Sequence, residues 1–205
     1  MPAAVAVMDD TDSPASDFTA VLLAGGKSSR MGQDKTGLII DGVPLWQRQL
    51  ATLRGIGAAE ILISGPTDGC YLESGLPIIE DAELGLGPLG GIVTAIASAR
   101  HALVLVLAVD LPRMTSAYLQ SLLADAPVVP RRRDRFEPLA AIYSKSFTEV
   151  FQRRLAQRRL SLQSAVHELF ERNEISVRDV SVAEAPLFDN LNTPEDLAYL
   201  VRGEH

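Results

Sequence analysis

The sequence has very little of several residue types, and each shortage excludes a class of protein. It contains one cysteine, Cys70, in 205 residues, so it can form neither a disulfide framework nor a cysteine-based metal site. We interpret Cys70 as an inert, partly buried thiol. The three histidines, His101, His167 and His205, have no metal-ligand spacing and no partner serine or cysteine. We therefore expect them to be structural or exposed.

Positive charge and long apolar runs are also scarce. The net charge is −7, whereas a nucleic-acid-binding protein usually has a basic domain or stripe. No apolar run is as long as a membrane span. The opening MPAAVAVMDDTDSPASDF has no basic segment and contains four aspartates, which favours a disordered tail over residues 1–17 rather than a signal peptide. We expect a cytoplasmic protein with one domain over residues 18–205 and with no nucleic-acid or membrane partner.

Strand-like apolar stretches alternate with helical patterns along the chain. The run ALVLVLAVD, residues 102–110, is apolar on both faces until its aspartate, which is typical of a central strand covered on both sides. This βαβα rhythm predicts an α/β fold, a three-layer α/β/α sandwich with a mostly parallel, Rossmann-like sheet. The other predicted elements are strands at 61–64, 76–81, 126–130, 138–143 and 175–182, and helices at 46–57, 93–100, 115–125 and, as two amphipathic helices, within 145–173.

The stretch LLAGGKSSRMGQDK, residues 22–35, combines glycines and basic residues directly after an apolar strand. Glycines let the backbone approach a phosphate closely, and consecutive N–H groups near a helix start can bind an anion. Arg30 and Lys35 add positive charge where phosphate oxygens would lie. The spacing matches neither the P-loop nor the dinucleotide-binding fingerprint. We interpret the stretch as a phosphate-binding loop, with a solvated glycine turn as the alternative.

Further polar or glycine-rich stretches follow the other predicted strands, and ligands of such sheets bind beyond the carboxyl ends of the strands. Asp110 can hold Mg²⁺ with help from substrate phosphates. Alternatively, it caps a helix or accepts a hydrogen bond within a loop. Asp81 can accept from two adjacent N–H groups such as those of a guanine edge, or it is a solvated loop acid. GLGPLGG, residues 85–91, either closes over a base or ribose or forms a tight loop before a helix. RRRDR, residues 131–135, is either a solvated loop or a group that attracts an anionic substrate.

LLAGGKSSRMGQDK, GPLGGI, AVDLP, EPLAAIY and NLNTPEDL occur in that order and together resemble the molybdenum cofactor guanylyltransferase family, the MobA-type nucleotidyltransferases, from about residue 19 to 200. The first motif occurs in many nucleotidyltransferases, whereas the combination is much more specific. The resemblance implies transfer of GMP from GTP to the terminal phosphate of molybdenum-molybdopterin (Mo-molybdopterin), which yields the guanine dinucleotide form of the cofactor and pyrophosphate and requires Mg²⁺. Other cofactor-biosynthesis proteins and molybdoenzyme apoproteins are candidate partners.

The resemblance also implies roles for individual residues. Arg30, Lys35 and Asp110 would be catalytic, and Asp110 would also be the metal ligand. Asn190 and Asn192 would lie on the side of the pterin substrate. Ser64 stands where some members carry an asparagine that helps to read the nucleotide. The residues expected to bind the nucleotide are Leu23, Ala24, Gly25, Gly26, Lys35, Asp81 and Asp110.

The chemistry of such a transfer agrees with the residues present. The acceptor phosphate is itself the attacking group, so no protein nucleophile is needed, and the sequence contains no recognisable Ser-His or Cys-His pair. The protein must instead hold two polyanions in line and offset their repulsion with cations. Two other functions stay open: a related nucleotidyltransferase that uses CTP or another phosphate acceptor, and a non-catalytic protein that carries a nucleotide or cofactor. A pure carrier has no need of a metal-binding carboxylate at Asp110.

Overall fold

A central sheet with helices on both faces forms the fold. The computed structural model describes residues 17–25, 35–80, 85–191 and 196. The strands are β1 (Phe18–Leu23), β2 (Ile39–Ile40), β3 (Val43–Pro44), β4 (Glu60–Ser64), β5 (Ile78–Ile79), β6 (Leu103–Ala108), β7 (Val128–Arg132), β8 (Arg135–Phe136), β9 (Ala140–Ser144) and β10 (Ser176–Asp179). The α-helices are α1 (Leu45–Arg54), α2 (Gly87–Ser98), α3 (Ser116–Leu122), α4 (Thr148–Ala156) and α5 (Leu162–Glu171).

The sheet is mostly parallel, as predicted. Its order is β10-β7-β9-β6-β1-β4-β5, with β8 paired to β7. β1 runs parallel to both of its neighbours, β4 and β6, whereas β9 runs antiparallel to β6 and to β7. The direction of β9 follows from its short connection to β7, since a parallel pair needs a crossover of a dozen or more residues. The apolar pattern at 138–143 predicted this strand but carried no information on its direction.

The alternation of side chains along β1 divides the core into two layers. Ala20 and Leu22 pack on one face with the apolar sides of α1 and α3. Val21 and Leu23 pack on the other face with α2, α4 and α5. Successive side chains of a strand point to opposite faces, so a strand that is buried along its whole length must be covered on both sides. The three-layer α/β/α sandwich is therefore confirmed.

The predicted helices form where local capping chemistry allows them to begin. The Thr115 hydroxyl accepts from the Tyr118 amide at 3.2 Å and begins α3, and the Ser161 hydroxyl accepts from the Ser164 amide at 3.3 Å and begins α5. Such caps satisfy amides that have no partner inside the helix. The two amphipathic helices expected within 145–173 are α4 and α5. In the described part of the chain, no helix is long and apolar enough to cross a membrane.

Two stretches interpreted as loops are more regular in the structure. The GLGPLGG stretch is helical from Gly87 onward, with Pro88 in the first turn of α2, where proline is well tolerated because it has no N–H to satisfy. In the RRRDR stretch, β7 continues to Arg132 and β8 begins at Arg135, so the segment is a β-hairpin rather than an irregular loop. Arg133 turns the chain with a φ of 56°.

The expectation of a partly buried thiol at Cys70 is wrong. Cys70 is exposed, and its Sγ atom lies 3.2 Å from Oγ1 of the buried Thr36. Cys70 begins a short 3₁₀ helix, Cys70–Ser74, which packs beside the single 3₁₀ turn Lys35–Gly37. The thiol therefore lies at the contact of two surface turns, where one of its sides remains in solvent.

Candidate active site

The carboxyl ends of β1 and β6 bring the first loop motif next to the predicted metal-binding aspartate. The two strands are paired in register from Phe18↔Leu103 to Leu23↔Ala108. Beyond them, the Val109 amide donates to the Leu23 carbonyl at 3.0 Å. Ligands of such sheets bind at this edge. The sheet pairing thus places Leu23, Ala24 and Gly25 beside the loop that carries Asp110.

Lys35 and Asp110 form an ion pair at this edge. Nζ of Lys35 lies 3.6 Å from Oδ2 of Asp110, and the two side chains are 18% and 20% exposed. Burial raises the pKa of Asp110, while the positive charge of Lys35 acts in the opposite direction. Lys35 therefore helps to keep a largely desolvated carboxylate ionised. Two residues predicted from separate motifs are in direct contact.

The second oxygen of Asp110 is available to a cation. Oδ1 of Asp110 is buried and has no hydrogen-bond partner among the described residues. In the same part of the chain, no group of three or more His, Cys, Asp or Glu side chains could hold a metal ion. Asp110 can therefore supply one carboxylate ligand, and phosphate oxygens and water can supply others, an arrangement that suits a hard divalent cation. The donor set fits a divalent cation that arrives with a nucleotide.

The amides at the start of the glycine loop are used within the protein. The Ala24 and Gly25 amides both donate to the Ser64 carbonyl, at 2.8 and 3.0 Å, so these two N–H groups are not directed at a phosphate. The anion-binding amides were predicted near a helix start further along the loop, which lies outside the described residues, and they stay a prediction. Ser64 is 3% exposed and fixes the course of the loop through its backbone.

Packing within the protein does not explain the glycine at position 25. A Cβ atom added to the exposed Gly25 would lie 3.6 Å from the Cα of Gly65, which is ordinary van der Waals contact. By contrast, a Cβ atom added to Gly65 would clash with the Tyr71 hydroxyl and lie 3.1 Å from its Cζ. Gly65 is thus required by its neighbours, whereas Gly25 leaves open backbone at the edge where a ligand would lie.

The structure also brings Asn190 toward this edge. Asn190 is exposed, and the amide of the next residue, Leu191, donates to the Asp110 carbonyl at 2.8 Å. The C-terminal segment is therefore bonded to the loop that carries the candidate metal ligand. The predicted site residues Gly26, Arg30, Asp81 and Asn192 lie outside the described residues, and their roles stay predictions.

A groove of about 1320 Å³ adjoins the Asp110 loop. Its walls come from Leu111 and Arg113, from the β7–β8 hairpin, from the start of α5 and from the segment 180–190, which includes Asn190. An open space of this size beside the candidate cation site is large enough for a substrate of several rings.

The arginines of the RRRDR stretch divide into two kinds. Arg131 pairs with Asp179 at 2.8 Å. Arg132 pairs with Glu137 at 2.9 Å and with Asp189 at 3.0 Å, so it joins the hairpin to the segment next to Asn190. Within the described ranges, neither Arg133 nor Arg135 has a salt bridge. Any attraction of an anionic substrate by this stretch is therefore limited to its tip.

One buried polar residue near the site was missed from the sequence. Gln49 is 1% exposed, and its Nε2 atom donates to the Leu111 carbonyl at 2.6 Å. It lies three residues after Trp46 and four before Leu53, which are both buried, so helical spacing places it on the buried face of α1. A glutamine on the core-facing side of a predicted helix was the sequence signal that could have identified this residue.

Comparisons with known proteins show which family and which fold the chain resembles. The chain matches the family model of the MobA-like NTP transferase domain over residues 20–173. It is 34% identical over 189 residues to the probable molybdenum cofactor guanylyltransferase of Opitutus terrae, with 89% of this chain and 94% of that protein covered. It is 36% identical to the molybdenum cofactor guanylyltransferase of Xanthomonas euvesicatoria pv. vesicatoria, with 90% and 94% covered. The fold is similar to that of molybdopterin-guanine dinucleotide biosynthesis protein A from Archaeoglobus fulgidus, with a TM-score of 0.73, 23% identity, and 90% and 97% covered.

Proposed function

The chain belongs to the MobA-like NTP transferase family, and from this premise we propose that it transfers GMP from GTP to the terminal phosphate of Mo-molybdopterin. The products are molybdopterin guanine dinucleotide and pyrophosphate. The observation that carries the proposal is the ion pair of Lys35 and Asp110 at the carboxyl ends of β1 and β6. It provides a fixed positive charge and a cation-binding carboxylate where such sheets bind their ligands.

For this reaction the protein must position the two substrates and supply positive charge, and it need not supply a nucleophile. An oxygen of the acceptor phosphate attacks the α-phosphorus of GTP, and the bond from that phosphorus to the bridging oxygen of the pyrophosphate breaks. Pyrophosphate leaves with the electron pair of that bond. Because both reactants are anions, bringing them together is unfavourable unless cations lie between or beside them. Among the described residues, Lys35 is a positive group in contact with Asp110, and we assign it to the nucleotide phosphates.

Asp110 is the residue that would hold a divalent cation. We propose Mg²⁺, because a hard oxygen ligand shared with phosphates is its usual protein environment. When bound, the cation would stabilise negative charge on the departing pyrophosphate. The contribution of this chain is to favour the ionised form of Asp110 through Lys35 and to leave Oδ1 without a hydrogen-bond partner among the described residues.

The two substrates are assigned to the two sides of the Asp110 loop. We place the nucleotide at the β1 side, with Leu23, Ala24 and Gly25 as contacts, and extend this assignment to Gly26, Arg30 and Asp81. We place the pterin acceptor in the groove that Asn190 lines, with Asn192 as a second contact. Since both reactants are biosynthetic metabolites, we assign the reaction to the cytoplasm.

The function is tested by pyrophosphate release from GTP, CTP, ATP and UTP with Mg²⁺, in the presence and absence of Mo-molybdopterin. We expect release with GTP only, and only when the acceptor is present. Release with CTP would contradict the guanylyl assignment and favour a cytidylyltransferase. GTP-selective thermal stabilisation without any release would favour a carrier that binds without catalysis.

Replacing Lys35 with methionine is expected to lower kcat/KM for GTP by roughly 100-fold. The substitution keeps the length of the side chain but removes the charge next to Asp110 and the nucleotide phosphates, a loss of the size found for single charge-stabilising donors. Steady-state pyrophosphate release measures the effect. Lys145→Met is the matched control, because Lys145 donates to the Ala99 carbonyl at the opposite edge of the sheet. Equal losses in the two variants would contradict the role of Lys35.

A further inference from the structure

We propose that Gln49 is a positioning residue that holds the Asp110 loop in its cation-binding arrangement. The consequence for turnover rests on the proposed function, whereas the consequence for cation binding can be measured without it. Gln49 belongs to α1 and touches neither of the proposed substrates. It would act through the backbone of Leu111, the residue that directly follows Asp110.

The geometry of the contact is specific. Nε2 of Gln49 donates to the Leu111 carbonyl at 2.6 Å, and the side chain is almost wholly buried, with 1% exposed. A hydrogen bond shielded from water is stronger than one in solvent. The contact joins α1 to the loop after β6, two elements far apart in the sequence. It therefore restricts the orientation of the Leu111–Pro112 peptide, one residue beyond Asp110.

Other hydrogen bonds hold the loop on either side of this contact. The Val109 amide is bonded to Leu23, and the Asp110 carbonyl to the Leu191 amide at 2.8 Å. The Leu111 carbonyl also accepts from the Met114 amide at 3.1 Å. Loss of the Gln49 amide would leave no unsatisfied carbonyl at Leu111, so the backbone does not need Gln49 for its hydrogen-bond balance.

The second polar atom of the Gln49 side chain, Oε1, lowers the stability of the fold. Oε1 is buried and has no hydrogen-bond partner among the described residues, and a buried acceptor without a partner is destabilising. A methionine of similar length would fill the same space without that cost. Gln49 is therefore worse for stability than an apolar substitute, and it is bonded to the residue next to a candidate metal ligand. This combination is typical of a functional constraint. Packing alone does not account for it.

The test compares Gln49→Met with Thr19→Val. Thr19 is also fully buried, and its hydroxyl donates to Glu60 at 2.7 Å, but it lies at the start of β1 and away from the site. For each variant we would measure the thermal unfolding midpoint, the Kd of Mn²⁺ in the presence of GTP by electron paramagnetic resonance, and kcat and KM for pyrophosphate release. Gln49→Leu serves as a second apolar variant if the methionine variant folds poorly.

We expect Gln49→Met to unfold at the wild-type temperature or above it. Its Kd for Mn²⁺ should rise and its kcat fall, each by roughly 10- to 100-fold, the range expected for a small misplacement of a reacting group. Its KM for GTP should rise by no more than its Kd for Mn²⁺ does, because the cation binds together with the nucleotide and the nucleotide contacts of β1 are unaltered. Thr19→Val should unfold at a lower temperature with wild-type Mn²⁺ affinity and kcat.

Unchanged Mn²⁺ affinity in Gln49→Met would overturn the proposal. So would a fall in Mn²⁺ affinity that Thr19→Val reproduces, since the effect would then follow from lost stability. Wild-type protein that binds Mn²⁺ with GTP but releases no pyrophosphate would contradict the proposed function. In that case the Mn²⁺ affinities of the two variants still decide the role of Gln49.

Discussion

Replacing Asp110 with asparagine is expected to reduce pyrophosphate release by about 1000-fold. Asparagine has nearly the same shape but lacks the negative charge that would hold a divalent cation. Cation stabilisation of a reacting phosphate contributes several kcal/mol, and each ~1.4 kcal/mol corresponds to a tenfold change in rate. The loss should appear in kcat, because the stabilisation develops as the pyrophosphate departs.

The same substitution should leave the fold intact. Burial raises the pKa of Asp110, which means that its ionised form is disfavoured where it stands, so a neutral isostere should unfold at the same temperature or higher. Asp125→Asn, at an exposed position in the 3₁₀ turn that directly follows α3, is the control and should behave like the wild type in both measurements. Turnover of Asp110→Asn within a few-fold of wild type would remove Asp110 from the metal-binding role. A large fall in its unfolding temperature would instead make Asp110 a structural residue.

Replacing Glu168 with alanine is expected to lower the free energy of unfolding by about 3 kcal/mol. Arg154 is 2% exposed, and its guanidinium donates to Glu168 at 2.9 Å and to Ser164 at 2.8 Å. These bonds join α4 to α5. Removing one partner of a buried ion pair leaves an uncompensated charge in the core, which costs ~3–5 kcal/mol, and the partial exposure of Glu168 favours the lower end. Urea unfolding monitored by circular dichroism measures the change.

Two variants separate this effect from a general weakening of α5. Glu171→Ala removes an exposed acid of the same helix, whose partner is His167 at 3.9 Å, and should change stability by less than ~0.5 kcal/mol. The double variant Arg154→Met with Glu168→Ala removes both charges and should recover much of the loss. If Glu168→Ala is no less stable than Glu171→Ala, the Arg154 pair does not stabilise the fold.

The Glu168 pair should also make stability sensitive to acid. Burial raises the pKa of Glu168, but hydrogen bonds and charges from Arg154 and Arg153 outweigh this effect and leave the pKa lowered. A carboxyl with a lower pKa in the folded state stabilises the fold above its unfolded-state pKa of about 4.3. That stabilisation is lost as the pH falls through the folded-state value. The stability difference between wild type and Glu168→Ala should therefore be largest at pH 7 and shrink below about pH 4.

Much of the site could be predicted because its signals are local in the sequence. Asp110 follows an apolar run that only a doubly covered strand explains, and Lys35 ends a glycine-rich basic loop. Parallel strands present their carboxyl ends at the same edge, which predicts that the two motifs meet there. The direct contact of the two side chains, at 3.6 Å, comes from the structure. The caps at Thr115 and Ser161 are local as well, since each bond spans three residues.

The sequence by itself determined most of the longer elements, the burial pattern of the central strands and the residue types that meet at the sheet edge. These depend on periods of two and 3.6 residues and on chemistry within one turn of chain. Only the tertiary structure decided that Ser64 takes up the amides of Ala24 and Gly25, that Arg132 is paired with Glu137 and Asp189, and that Gln49 bonds to Leu111. Each of these contacts except Arg132–Glu137, which spans the turn of a hairpin, joins residues far apart in the chain. Such a long-range contact forms only when whole helices and strands pack together. Its two partners therefore cannot be identified from the periodicity of the sequence.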